Sequence, residues 1–270
     1  MENAIISFPL IGLTLNPPRY FTIFGFNIHF YGLALALGLV VGAIYALKRA
    51  PQFGLTSDNV LDFLLFAVPS AVIFSRLYYV VFNWHIYSQD PIRIITGIRS
   101  GGLTIYGVIF GAVLGVWLCS RIRKLDFWSI LDLGAGGLLI GQAIGRWGNF
   151  INRELFGITT NVPWRMGLTA GAGTLYVHPT FLYESLWNVL GLILLHRYSK
   201  RPGRKYKGQI FIFYLGWYGL GRVWVEALRD PGQNMLIGQV SLNAIIAIAC
   251  FIGAIVVNIL LTRRAGKKEA

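Results

Sequence analysis

Tyr218, Arg222 and Glu226 are spaced by four, so a helix would stack them on one face. A phenol, a guanidinium and a carboxylate turned inward together suit an anion. The planar fork of Arg222 can bind phosphate or carboxylate bidentately, and Glu226 can hold that fork in orientation. The same pair could instead only lock two helices together. A denser cluster is the run Gly145-Arg146-Trp147-Gly148-Asn149-Phe150-Ile151-Asn152-Arg153-Glu154-Leu155-Phe156-Gly157. Its glycines let the backbone pass close to a ligand, Asn149 and Asn152 supply amide donors and acceptors, and Arg146 and Glu154 bring opposite charges. This chemistry suits a polar headgroup site, or else a loop that pairs with itself.

The elements that must position these groups are membrane spans. Of the 270 residues 55% are hydrophobic and only 13% charged, about half the charged share of an ordinary soluble domain, which excludes a typical cytosolic enzyme. Seven apolar stretches approach the roughly 20 residues that cross a bilayer: 24–47, 59–82, 102–120, 126–145, 179–196, 208–228 and 236–261. The expected fold is an all-α polytopic bundle of seven transmembrane helices. The chain is then one integral membrane domain, 1–270, with a small extracytoplasmic cap at 146–178. Asp62, Asp132, Glu184, Glu226, Arg76 and Arg222 fall inside spans. A charge at mid-bilayer costs roughly 3 kcal/mol, so these imply buried ion pairs, snorkelling side chains or a polar cavity.

The net charge of +13 would suggest nucleic acid in a soluble protein, but here it maps onto loops. Fifteen Lys and Arg fall in one alternating set of connections and seven in the other, which predicts an outside N-terminus and a cytoplasmic C-terminus, with no nucleic-acid partner. Residues 1–23 hold Pro9, Pro17 and Pro18 and do not read as a cleavable signal peptide. Residues 83–101 could lie in the interface as an amphipathic stretch. Gly107, Gly111 and Gly115, like Gly137, Gly141 and Gly145, repeat every four residues and suit close helix packing. Cys119 and Cys250 form no CxxC pair, and His29, His85, His178 and His196 show no paired ligand spacing, so neither a disulfide framework nor a metal site is expected. Spans and buried charges alone would equally fit a transporter or a non-catalytic binder of anionic lipid.

The 145–157 run resembles the signature of the prolipoprotein diacylglyceryl transferase family, Gly-Arg-x-Gly-Asn-Phe-x-Asn-x-Glu-x-x-Gly, at every specified position. Other pieces follow in order. They are Tyr31-Gly32, Ser100-Gly101-Gly102-Leu103, Asp132, His178-Pro179-Thr180, Leu182-Tyr183-Glu184, and Arg222 through Glu226 to Arg229. The resemblance covers nearly the whole chain. It implies a multi-pass enzyme of the bacterial cytoplasmic (inner) membrane that needs no cofactor. Such an enzyme moves the diacylglyceryl group of phosphatidylglycerol to the lipobox cysteine thiol in the signal peptide of a preprolipoprotein, forms a thioether and releases glycerol 1-phosphate. Membrane lipids are then its surroundings as well as its substrate.

By the same resemblance Arg146, Asn149, Asn152, Glu154 and Gly157 belong to the site, with Tyr31, Glu184, Tyr218, Arg222 and Glu226 beside them. Many relatives carry a histidine where this chain has Tyr106, and a phenol near pKa 10 is a poorer acceptor at neutral pH than an imidazole near 6.5. Either Tyr106 acts by hydrogen bonding or the base lies elsewhere. The expected mechanism has Arg146 and Arg222 clamping the phosphate. Glu154 either orients Arg146 or takes the thiol proton. Tyr31 and Tyr106 are candidates for the glycerol headgroup, and His178 shapes the loop entry or contacts that headgroup.

Overall fold

The computed structural model describes residues 4–97, 101–171, 173–201, 203–230, 232, 236–237 and 240–269. In chain order the elements are β1 (Ile5–Phe8), β2 (Leu13–Leu15), β3 (Tyr20–Ile23), β4 (Phe26–His29), α1 (Phe30–Arg49), α2 (Ser57–Phe82), α3 (Trp84–Tyr87), α4 (Arg93–Thr96), α5 (Ile105–Ile122), α6 (Phe127–Asn152), β5 (Met166–Ala170), β6 (Gly173–Val177), α7 (Thr180–Ser199), α8 (Gln209–Ala227), β7 (Leu236–Ile237), β8 (Val240–Ser241) and α9 (Leu242–Glu269). The chain is mostly helical. Five stretches, within α1 with its following turn, α2, α5, α6 and α9, are long and apolar enough to cross a membrane. The expected fifth and sixth spans fall on α7 and α8, of 20 and 19 residues, which are not among these five. Their hydropathy is lowered by the polar residues they carry, Glu184 on one and Arg222 and Glu226 on the other.

The structure corrects several boundaries. The first helix starts at Phe30, because residues 20–29 form the β3–β4 hairpin. Its two-residue turn, Phe24-Gly25, has φ of 49° and 81°, which matches the twist of paired strands. An apolar run such as Tyr20–Phe30 carries no length signal to separate strand from helix, so hydropathy assigned part of it to the span. The last helix begins at Leu242, and α6 runs on to Asn152. Residues 146–152, expected in a loop, are thus the last two turns of a long helix. The all-α expectation also fails, since the structure contains small sheets. Ser100, part of the glycine segment before the third span, lies outside the described residues.

Two compact units make up the chain, residues 1–45 with 134–270, and residues 46–133. In the first unit a four-stranded antiparallel sheet has the order β2-β1-β5-β6. Its inner face buries Ile6, Met166, Leu168 and Val177 against Phe150 of α6 and Phe181 of α7, so the sheet sits on the helix ends that carry the signature. Helices α1 and α6 meet backbone to backbone: a Cβ on Gly38 would lie 3.1 Å from Gly141 Cα, and one on Gly42 would lie 3.0 Å from the Gly137 carbonyl.

In the second unit α2 and α5 pack through the expected glycine repeat. Gly107, Gly111 and Gly115 face the carbonyls of Phe74, Ser70 and Phe66, where any Cβ would collide with backbone. Arg76 of α2 is buried and binds no carboxylate among the described residues. Its guanidinium donates to the carbonyls of Arg93 (2.8 Å), Ile94 (2.9 Å), Gly101 (3.0 Å) and Gly102 (3.3 Å) and lies against the rings of Tyr79 and Tyr87. A buried guanidinium with its donors filled by carbonyls organises the α3–α5 connection. Asp62 is paired with Arg123 at 2.8 Å. Replacing Gly111 by Val should lower stability by about 1–3 kcal/mol through overpacking, read as a fall in Tm in detergent. Gly134→Ala, where a Cβ meets nothing, should leave Tm unchanged or raise it.

Candidate active site

The signature ends α6 in a Schellman turn. Arg153 N–H donates to Phe150 O (3.1 Å) and Glu154 N–H to Asn149 O (3.1 Å), with Arg153 in the left-handed region at φ 54°. That position usually falls to glycine, because a side chain costs roughly 1 kcal/mol there. Arg153 offsets this with three bonds of its own, to Ala4 O (2.9 Å), Ile151 O (2.6 Å) and Asn16 Oδ1 (2.9 Å). It ties β1 to the turn. The reversal brings Glu154 back over the helix end, where its Oε1 accepts from Asn149 Nδ2 (2.8 Å) and Asn152 Nδ2 (3.4 Å). Asn149 Oδ1 in turn accepts from Arg146 Nη1 at 3.3 Å. Glu154 therefore reaches Arg146 through an amide and forms no direct pair with it.

Arg146 pairs instead with α7. Its Nη2 lies 2.6 Å from Glu184 Oε2, the oxygen that Arg222 Nη1 approaches at 3.4 Å. Glu184 Oε1 takes Arg229 Nη2 at 2.6 Å. Glu226, four residues after Arg222, pairs with it at 2.8 Å, lies 3.9 Å from Arg229 Nε, and accepts the Ser241 hydroxyl on its other oxygen. Three guanidiniums and two carboxylates thus share one buried network with a surplus of one positive charge. Burial and the neighbouring Arg222 push the Arg229 guanidinium down to about 10, with Glu184 pulling the other way, so it stays cationic at neutral pH. A cleft lined by Gln142, Arg146, Asn188, Tyr218 and Arg222 opens beside these charges. Glu184 and Trp187 line it as well, so an anion entering it meets two guanidiniums already oriented by that carboxylate, in a site partly withdrawn from water, where charge interactions are stronger than in bulk.

The remaining expected residues divide. Tyr31 packs over Gly148, where a Cβ would strike its ring, and its phenol faces Asn149, Glu154 and Arg146. Gly157 is where backbones cross: it donates to His178 O (3.0 Å), bridges Arg229, and leaves no room for a Cβ beside Leu228 O. The Trp164 indole donates to Tyr183 Oη (2.7 Å), which leaves the phenol proton for His178 Nδ1 at 3.1 Å. His178 is thereby assigned as the neutral Nε2–H tautomer, and burial keeps its pKa below the ordinary value. Tyr106 belongs to the other compact unit, in the first turn of α5 beside Tyr78.

The family model described as Prolipoprotein diacylglyceryl transferase matches residues 18–260. The chain belongs to the prolipoprotein diacylglyceryl transferase family. It is 38% identical over 268 residues to the phosphatidylglycerol–prolipoprotein diacylglyceryl transferase of Halalkalibacterium halodurans, covering 94% of this chain and 87% of that one. Proteins of the same name from Clostridioides difficile (37% over 244 residues, covering 90% and 95%) and Finegoldia magna (39% over 239 residues, covering 88% and 93%) are also similar.

In this member of the prolipoprotein diacylglyceryl transferase family two residues of the cluster escaped sequence reasoning as site residues. Arg229 ends the family segment that runs from Arg222 through Glu226, and its spacing of three from Glu226 and seven from Arg222 continues the same helical face, the signal that could have placed it in the site. Gln142 lies one turn before Arg146 and carries no charge to draw notice.

Removing the shared carboxylate should leave three guanidiniums crowded together. Glu184→Gln is expected to cost about 3 kcal/mol, measured by denaturant unfolding in detergent. Charging His178 opposes folding, so its contribution is intact above about pH 6.5 and is lost as pH falls below that value. Between pH 7.5 and 5.5 the wild type should therefore lose more Tm than His178→Gln.

Proposed function

We propose that this chain transfers the diacylglyceryl group of phosphatidylglycerol to the lipobox cysteine thiol of a preprolipoprotein, forming a thioether and releasing glycerol 1-phosphate. The observation that carries the reading is the convergence of Arg146 and Arg222 on one oxygen of Glu184 beside a cleft, in a chain that belongs to this transferase family. The cysteine attacks as the thiolate, its proton lost to water and available to the phosphate monoester that departs; the S–C bond forms at the glyceryl carbon, and the C–O bond breaks with its electron pair passing to the phosphate oxygen. Arg146 and Arg222 hold the phosphate as that charge grows, which is where fixed donors lower a barrier most. Their positive charge also favours the thiolate form of the incoming cysteine. Neither metal nor cofactor is needed for this displacement.

Residue roles follow from the contacts. Glu154, already holding two amide donors, acts by fixing Asn149 and through it Arg146, which favours the orienting role over that of a thiol base. Tyr31 and Tyr218 stand on the headgroup side of the guanidiniums, and Glu226 fixes the Arg222 fork. Asn152 supports Glu154, Gly157 permits the crossing beside Arg229, and His178 shapes the entry. In the membrane, α7 and α8 supply the fifth and sixth of seven spans in one integral domain. The β1–β2–β5–β6 sheet and residues 153–178 form the extracytoplasmic cap, and the C-terminus is cytoplasmic. This orientation, in a bacterial inner membrane, is supported by the basic loops.

Purified protein incubated with phosphatidylglycerol and a lipobox peptide should add a diacylglyceryl mass to the cysteine and release glycerol phosphate. Arg222→Lys keeps the charge and loses the fork, so transfer should fall by about 10²–10³. Near-normal transfer by that variant would rule out the clamp.

A further inference from the structure

Gln142 sits four residues before Arg146, on the same face of α6 and about 5–6 Å along the helix. Its amide nitrogen donates to the Tyr214 hydroxyl of α8 at 2.8 Å. Its amide oxygen is buried and has no hydrogen-bond partner. Gln142 lines the cleft and Tyr214 does not, and with the amide nitrogen held by Tyr214 the oxygen is the polar end left to pair with a ligand there. Electrostatics supports the same orientation, because a carbonyl oxygen is favoured near the Arg146 and Arg222 guanidiniums and an amide N–H₂ is not. An orphaned buried acceptor costs about 1–3 kcal/mol, and folded proteins retain few of them. Here the orphan belongs to a residue that lines a cleft already holding the donors an anion needs. The missing ligand group is a neutral donor one helical turn from a phosphate, which is the relation of a hydroxyl to the phosphate in glycerol phosphate.

We propose that the Gln142 amide oxygen accepts a hydrogen bond from a free hydroxyl of the glycerol headgroup, and so selects phosphatidylglycerol over phospholipids whose headgroup lacks that hydroxyl. This rests on the transferase reading above and adds to it the group that reads the headgroup. The arginines recognise any phosphodiester and confer no such preference. A site built to pair a substrate hydroxyl disfavours the analogue that leaves its acceptor empty.

The test measures kcat and KM for transfer to a lipobox peptide from phosphatidylglycerol and from phosphatidylpropanol, whose headgroup has no free hydroxyl. Gln142→Met keeps the volume and removes the acceptor. Wild type should prefer phosphatidylglycerol by about tenfold in kcat/KM. Gln142→Met should abolish the preference by slowing phosphatidylglycerol alone, with phosphatidylpropanol changed less than about twofold. Tyr214→Phe breaks the same interhelical bond without touching the acceptor and should keep the preference. Equal loss on both lipids in Gln142→Met, a preference that survives it, or a preference lost in Tyr214→Phe would overturn the assignment. A wild type that prefers neither lipid overturns it as well. A wild type that transfers from neither lipid is a different result, which removes the transferase reading and this assignment with it.

Discussion

A guanidinium placed in an apolar helical layer must find an anion or a set of carbonyls, and three such groups are gathered on Glu184. Arg146 comes from α6, Glu184 from α7, Arg222 from α8 and Arg229 from the turn that follows α8. One carboxylate therefore fixes three helix ends at once. Glu226 and Ser241 extend the same constraint to the start of α9. The helix ends cannot shift independently without exposing charge to hydrocarbon, which is a rigidity that dispersion between apolar faces does not provide. The cost of desolvating five charged groups is met by short pairs and leaves one cation in excess.

The Schellman turn depends on that fixed helix end. Arg153 accepts a left-handed backbone because its side chain has three acceptors waiting, two of them, Ala4 and Asn16, contributed by the N-terminal segment. The sheet is therefore more than a cover. It holds the residue that turns Glu154 back onto Asn149, and Asn149 in turn steadies Arg146. Strain of about 1 kcal/mol is held at Arg153 by the three acceptors of its guanidinium.

Much of this was legible in the sequence where the signal is local. Hydropathy located five long helices, the four-residue glycine repeat marked a close helix contact, which α5 makes with α2, and the spacing of Tyr218, Arg222 and Glu226 placed a charged face on α8. The 145–157 run marked the site because its residue types are improbable together in an apolar chain. What stayed hidden is non-local. Nothing near Ile6 says that it pairs with Leu168, and short apolar strands look like the start of a span. Arg76 left a buried ion pair, a snorkelling side chain and a polar cavity all open, because its acceptors are backbone carbonyls, which every residue possesses and no sequence marks. Glu154 kept two roles, orienting Arg146 or taking the thiol proton, because charge complementarity is visible in a sequence and an intervening amide is not.

If Arg146 and Arg222 clamp the phosphate as proposed, the surplus of one positive charge in the ion network has a consequence for turnover. A phosphodiester brings one negative charge and makes the network neutral, so binding discharges an electrostatic debt that the protein alone carries. As the C–O bond breaks, the phosphate gains a second negative charge. The guanidiniums are attracted more strongly to that state than to the bound lipid, which is the difference that accelerates a reaction. Glu184 tempers the effect: each fork is already partly engaged by its oxygens, so the phosphate must share the donors with it. A site of bare arginines would bind glycerol phosphate too well to release it. Sharing through Glu184 and Glu226 keeps the forks aligned before lipid arrives and supplies a competing acceptor once the product has formed.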